Sequence, residues 1–257
     1  MAARRGIYLA PFGELSEPCV VAELAARAEE RGWDGFFLWD HVAFHRPVRA
    51  IADPWVTLAA MAVATQRLVL GPLVTPLARR RPHKLARETV TLDRLSRGRL
   101  VLGVGLGWDR SGEFDPDRYD EESDPRARAR LLDEGLDRVL AYWGGEFKPR
   151  PVQLPRIPVW VAAGWPHRRP LRRAARFEGV FPIDLPGPEA LAALASEVRA
   201  LRGSRGTDGF DFVVTNPPGT DVAPWVAAGA TWCLTGLGSR ASVTKVRSAI
   251  DAYTPPA

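Results

Sequence analysis

The chain has only two cysteines, four histidines and three lysines in 257 residues, which removes several common kinds of chemistry at the outset. Cys19 and Cys233 lie at opposite ends of the chain and fit reduced core residues better than a disulfide framework. Lys84 starts a helical pattern, Lys148 lies in a connector and Lys245 is near the C-terminus. None stands at a strand end, where Schiff-base chemistry on a barrel would need it. His41 and His45 have no third ligand nearby, nothing resembles His-Glu-x-x-His, and the first apolar run carries no His-x-His, so no metal is expected. No apolar run is long enough to span a bilayer, and Met1–Gly6 leads into a strand without a signal-type apolar segment. The expectation is a cytoplasmic protein that does not engage a membrane. No repeat, linker or composition break divides the sequence, so residues 1–257 are expected to form a single domain.

What is present is arginine and alternation. The net charge is +5, carried almost wholly by arginine. This reads either as solvated faces or as a site for an anion such as phosphate. No nucleic-acid motif accompanies the charge, so no nucleic-acid partner is expected. Apolar runs recur at 6–10, 35–39, 68–70, 100–104, 159–163, 179–181, 210–214 and 230–234. Helical patterns follow them, at 17–31, 54–65, 83–95, 126–143, 188–202 and 242–252 among others. Ser16 is placed to cap the first of these. Val21, Leu24, Ala25 and Ala28 form its buried stripe, and Leu85, Thr89, Leu92 and Leu95 that of the third. Eight strands each followed by a helix predict a closed parallel (β/α)8 barrel, with an open doubly wound sheet as the alternative.

In such a barrel the strand C-termini carry the site. Asp40-His41 follows the second strand at once, and a histidine there can hold or pass a proton. An orienting pair that merely closes the strand end is the other reading. Gly103-x-Gly105-x-Gly107 follows the fourth run. Trp108 and an acidic stretch come next, in place of a further glycine and a helix, which excludes a dinucleotide fingerprint. The remaining use of these glycines is close backbone approach at the barrel mouth. Residues 109–125 hold eight carboxylates and read as a loop over that mouth.

Several fixed words lie between residues 71 and 108. They are Gly71-x-x-Val74-x-Pro76, Arg80 and Pro82, Leu85-Ala86, Thr91-Leu92-Asp93-x-Leu95-Ser96-x-Gly98-Arg99 and Leu102-Gly103-Val104-Gly105-x-Gly107-Trp108. In this order they resemble the luciferase-like flavin and deazaflavin oxidoreductases. The resemblance implies a TIM barrel that uses FMN or coenzyme F420 on a small organic substrate and packs as a homodimer. It implies that Asp40 and His41 lie beside the cofactor ring, and that a non-prolyl cis peptide at Leu73–Val74, in a bulge starting at Gly71, supports the ring. It places Gly105 and Leu106 along the cofactor. It sets the phosphate at Ala163-Gly164-Trp165 and the following helix start, with Arg168 and Arg169. The chain departs from the family at three points. Pro72 replaces a frequent threonine, Trp165 stands where a small residue is usual, and Trp108 replaces the catalytic glutamate of the glucose-6-phosphate dehydrogenases, which argues against sugar-phosphate oxidation. Oxygenation and hydride transfer both remain open. So does a non-catalytic flavin binder, or a barrel that has lost its cofactor.

Overall fold

A computed structural model describes residues 3–108 and 111–254. Each of the eight apolar runs lies on a strand, with boundaries shifted by one or two residues. The strands are β1 (Arg4–Leu9), β2 (Gly35–Leu38), β3 (Val69–Pro72), β4 (Thr75–Pro76), β5 (Leu102–Gly105), β6 (Val159–Gly164), β7 (Gly179–Ile183), β8 (Asp211–Asn216) and β9 (Trp232–Gly236). They pair in the order β3-β2-β1-β9-β8-β7-β6-β5-β4, and every pairing is parallel. The ninth strand arises because β3 and β4 are two halves of one barrel strand, parted at Leu73–Val74, whose peptide is cis. Below that break a parallel bridge from Leu70 to Leu100 joins β3 to the entry of β5, and above it β4 pairs with β5. The ring is thereby closed on both sides of the bulge. The sequence ends the third run at Leu70; the strand in fact continues through Gly71 and Pro72, because proline's fixed φ suits an extended strand that is ending.

Helices α1 (Pro18–Glu30), α2 (Pro54–Ala64), α3 (Pro82–Leu95), α4 (Pro116–Tyr119), α5 (Pro125–Ala141), α6 (Arg168–Ala174), α7 (Pro188–Arg202), α8 (Ala223–Ala227) and α9 (Val243–Asp251) fill the connections. Most open with proline in the first turn, where its missing N–H costs no helix bond. Asp53, Asp124 and Ser242 cap α2, α5 and α9 through their side chains. Ser16 does not cap α1. Its hydroxyl donates to the Gly13 carbonyl, and Glu17 holds the cap position with no side-chain bond. Two further expectations are corrected. Leu95 is 44% exposed at the end of α3, off the buried stripe, and Cys19 is exposed on α1 while Cys233 is buried in β9. The acidic stretch after β5 is not all loop, since α4 lies within it.

Much of the 71–108 sequence pattern works below the mouth. Arg99 donates to the Ala62, Thr65 and Leu68 carbonyls, and to its own neighbour Ser96, tying the end of α2 to the start of β3. The buried carboxylate of Asp93 accepts from Val152 N–H and from both nitrogens of Gln153, which pins the proline-rich connector 144–158 against α3. A Cβ on Gly71 would sit 2.0 Å from the Val101 carbonyl, so only glycine allows β3 and β5 to approach there. Inside the barrel, Phe37, Trp160 and Trp232 pack ring to ring at 5.3–5.6 Å near the strand N-termini and plug that end.

Candidate active site

The C-terminal ends of β1, β2, β4 and β5 deliver an aromatic and charged cluster to one place. β1 presents Tyr8, whose hydroxyl donates to the Leu73 carbonyl at 2.9 Å and so ties the bulge to the first strand. Burial pushes the Tyr8 hydroxyl's pKa upward. Trp39, one residue past β2, packs 5.7 Å from both Tyr8 and His41, and its buried indole N–H has no partner among the described residues. Phe12 and Phe44 lie 6.0 and 5.2 Å from the His41 ring, and Trp108 lies 5.6 Å from Phe44. The His41 side chain is 12% exposed within this aromatic wall.

The two members of the Asp40-His41 pair have separate surroundings. The Asp40 carboxylate is fully buried among protein donors. It takes bonds from Arg80 at 2.9 Å, Thr75 Oγ1 at 2.8 Å, Trp55 Nε1 at 3.3 Å and Arg79 at 3.4 Å. With two guanidiniums beside it, this carboxylate joins α2, β4 and the turn after β4 into one unit. His41 makes no bond to it. The His41 Nδ1 lies instead 3.0 Å from Oε2 of Glu113, a residue of the acidic stretch whose carboxylate is also fully buried. The same oxygen accepts the Val42 N–H at 3.2 Å and lies 3.7 Å from Arg79. Arg79 therefore stands between Asp40 and Glu113. Nearby, the Glu121 carboxyl is pushed up chiefly by burial, helped by Asp120 and Glu113 and opposed by Arg79 and Arg80.

Of the other residues singled out by sequence, Leu73 and Val74 form the bulge at the mouth. Gly105 faces them, since a Cβ there would meet Val74 Cγ2 at 2.6 Å and the Ala162 methyl at 3.1 Å. Leu106 is half-buried just beyond it. Gly71 lies lower, where the Val101 carbonyl already fills the space its side chain would take. Ala163 and Gly164 end β6, paired to Pro182 and Ile183 of β7. The Trp165 N–H already donates to the Ile183 carbonyl, so that amide is not open to an anion. Helix α6 starts at Arg168 with no side-chain cap, which leaves its first N–H groups as the donors there. Arg168 is 76% exposed and paired to Glu197 at 3.1 Å, and Arg169 is exposed.

Sequence reasoning missed Glu113, Arg79, Tyr8 and Trp39. The Arg79-Arg80 doublet just after the bulge was a usable signal. Nothing local distinguishes Glu113 from its seven acidic neighbours in 109–125, because its partner lies 72 residues away. Asp109 of that stretch lies outside the described residues.

The arrangement at the mouth is thus a bulged third strand, a tyrosine and tryptophan wall, and a histidine held by a remote carboxylate. Solved structures share the architecture. An F420-dependent secondary alcohol dehydrogenase in complex with an F420–acetone adduct superposes with TM-score 0.79 over 98% of both chains at 14% identity. The oxygenating constituent of 3,6-diketocamphane monooxygenase from Pseudomonas putida, in complex with FMN, superposes with TM-score 0.63 over 84% of this chain and 68% of that one at 17% identity. In sequence, an uncharacterized protein of Mycobacterium tuberculosis H37Rv is 29% identical, with 86% of this chain and 88% of that protein covered. An F420-dependent glucose-6-phosphate dehydrogenase of Nakamurella multipartita is 35% identical over 50% of this chain and 38% of its own length. Residues 14–220 match the family model of the luciferase-like monooxygenases, and the chain belongs to that family.

Proposed function

We propose that this protein is an oxidoreductase that uses a deazaflavin of the F420 type, or FMN, to transfer hydride to or from a small organic substrate. The observation that carries the reading is His41. Its ring is walled by Phe12, Trp39 and Phe44, its Nδ1 is held by Glu113, and its Nε2 has no partner among the described residues. A carbonyl–alcohol interconversion moves one proton with each hydride, and a histidine beside the reacting carbon supplies the place for it. In the oxidative direction His41 Nε2 would take the proton of a substrate hydroxyl as the O–H bond breaks, and in the reductive direction it would return that proton to the carbonyl oxygen. When bound, the deazaflavin or flavin supplies the hydride chemistry, and the protein supplies position and protection from water.

The residues present fit such a ring. The Leu73–Val74 bulge, Gly105 and Leu106 would form one side, Tyr8 braces the bulge, and Trp39 holds a buried N–H that no described residue meets. Gly164 and the uncapped start of α6 would hold the phosphate end, with Arg169 better placed than Arg168, which is paired to Glu197. In this reading Asp40 positions the mouth and His41 carries the proton.

Titration of the purified protein with F420 and, separately, with FMN, followed by tryptophan fluorescence and cofactor absorbance, tests the reading. Binding of F420 with reduction by secondary alcohols supports hydride transfer. Tight binding of FMN and oxygen consumption in its place would move the protein to the monooxygenases. Binding without turnover of any substrate would leave a flavin carrier, and binding of neither would overturn the redox assignment.

A homodimer is part of the same proposal. A groove of about 620 Å³ runs between α1, α2 and α3 on the outer wall, lined by Ala22, Ala26, Ala59, Val63 and Leu95. Val56 and Val63 are 63% and 67% exposed on α2. Val63→Glu is expected to shift the sedimenting species from dimer to monomer.

A further inference from the structure

We infer that Glu113 is the positioning residue that fixes the His41 ring as its Nδ1–H form, leaving Nε2 as the proton acceptor at the mouth. The inference rests on the proposed use of His41 but is decided by a measurement that needs no cofactor.

Sequence adjacency pairs His41 with Asp40, and the fold does not. Asp40 is saturated by Arg79, Arg80, Thr75 and Trp55. His41 Nδ1 turns to Glu113. The protonation follows from the bonds that meet at Glu113 Oε2. That oxygen accepts the backbone N–H of Val42, a group that can only donate, and the Arg79 guanidinium lies 3.7 Å away. An oxygen so placed is a carboxylate acceptor. A carboxylate oxygen accepts from the Val42 N–H and from the ring together and keeps its charge beside the Arg79 guanidinium, which a protonated carboxyl would give up. The ring nitrogen 3.0 Å from Oε2 must therefore carry hydrogen. In the neutral imidazole the other nitrogen is then a lone-pair acceptor.

The loop is built to deliver this one carboxylate. Among the described residues of the acidic stretch, Ser111, Glu113 and Phe114 are buried. Ser111 Oγ donates to the Trp108 carbonyl at 2.7 Å, and the Phe114 ring lies under the guanidiniums of Arg79 and Arg128, at 5.7 and 4.0 Å. These contacts hold Glu113 from both sides. Three aromatic rings fix the plane of His41, and its Nδ1 bond fixes which nitrogen faces inward. When Nε2 takes a proton, the resulting imidazolium keeps Nδ1–H on Glu113, and the carboxylate balances the new charge. Among the described residues, the charges around the pair include Arg79, Asp40, Arg80 and Glu121. The logic is that of a buried acid orienting a histidine in a hydrolytic triad, here without a nucleophile.

The test is a two-bond 1H–15N correlation spectrum of the cofactor-free protein with 15N-labelled histidine. The chain has only four histidines, so His41→Gln assigns the ring by loss of its signals. In the wild type the neutral ring of His41 is expected to show a protonated Nδ1 and an unprotonated Nε2. In Glu113→Gln, whose amide can donate to Nδ1, the population moves toward Nε2–H. Once a substrate is in hand, the same variant is expected to lower kcat by on the order of 10²–10⁴-fold with cofactor binding retained. Asp117→Asn, an exposed acid of the same stretch, changes neither readout. A wild-type ring protonated at Nε2, or a tautomer unmoved by Glu113→Gln, would overturn the inference. If Glu113→Gln fails to fold, the wild-type spectrum decides alone. Failure to bind either cofactor counts against the proposed function and leaves the assignment of Glu113 standing.

Discussion

The two ends of the barrel are built from similar residues and do different work. At the floor, Trp160, Trp232 and Phe37 pack against one another, and the single carboxylate among them, Asp211, accepts from Trp160 Nε1 and Thr231 Oγ1. At the mouth, Tyr8, Trp39, Phe12 and Phe44 wall a histidine. Two buried carboxylates and two arginines share that space, and among the described residues Glu113 Oε1, Trp39 Nε1 and His41 Nε2 have no partner. Among the described residues, aromatic burial at the floor leaves Trp232 Nε1 unbonded, whereas at the mouth it surrounds several such atoms, on Trp39, Glu113 and Arg79, beside paired charges. Buried polar atoms are costly to leave unmet, so a cluster of them in one region marks where a ligand belongs.

The sharpest break of that comparison is at His41. His41→Gln is expected to lower turnover by on the order of 10²–10⁴-fold while the melting temperature stays within a few degrees, read by steady-state kinetics beside a thermal melt. An equal loss of stability would make the mouth as structural as the floor. Its neighbour should behave oppositely. Asp40→Ala leaves two guanidiniums without their carboxylate and is expected to cost about 3–5 kcal/mol in denaturant unfolding. Gly71→Ala, lodged against the Val101 carbonyl, is expected to cost about 1–3 kcal/mol by the same assay, because the obstacle is backbone and cannot swing aside.

At the floor the expected effect is smaller and depends on pH. Burial raises the Asp211 carboxyl above its ordinary value of 3.8, against the pull of Thr231, Arg4 and Trp160. A carboxyl raised in the folded state contributes its stability below the unfolded value and loses it as pH rises through the folded one. Asp211→Asn does not titrate, so its stability relative to the wild type should improve as pH is raised from about 4 toward neutrality. A wild type that instead gains on the variant as pH rises would show the carboxylate to be welcome at the floor. The least change is expected at Arg168, an exposed ion pair. Arg168→Ala should cost no more than about 1 kcal/mol, and cofactor affinity should hold if the start of α6 and not this side chain meets the phosphate.

The barrel was legible because strand and helix periods are local, and proline and glycine mark their ends. The family words between 71 and 108 were legible too. Yet Arg99, Asp93 and Gly71 serve the joints between α2, β3, β5 and the connector, so a strong motif pointed at scaffold as often as at site. Asp40 and His41 stood out by position at a strand end, but not their separate surroundings, which depend on what the third and fourth connections bring over. Glu113 was hidden because an isolated acid in an acidic stretch gains meaning only once the chain closes on itself.

The outer wall carries a practical consequence. Cys19 lies exposed beside the groove between α1 and α2, and the only other cysteine, Cys233, is buried with its thiol pushed up to about 11. Thiolate is the reactive form, so a maleimide dye at neutral pH should attach at one position without any cysteine being engineered. That position is adjacent to the surface offered for pairing. The wild-type protein thus carries its own reporter, whose self-quenching or energy transfer on mixing labelled chains would read assembly directly.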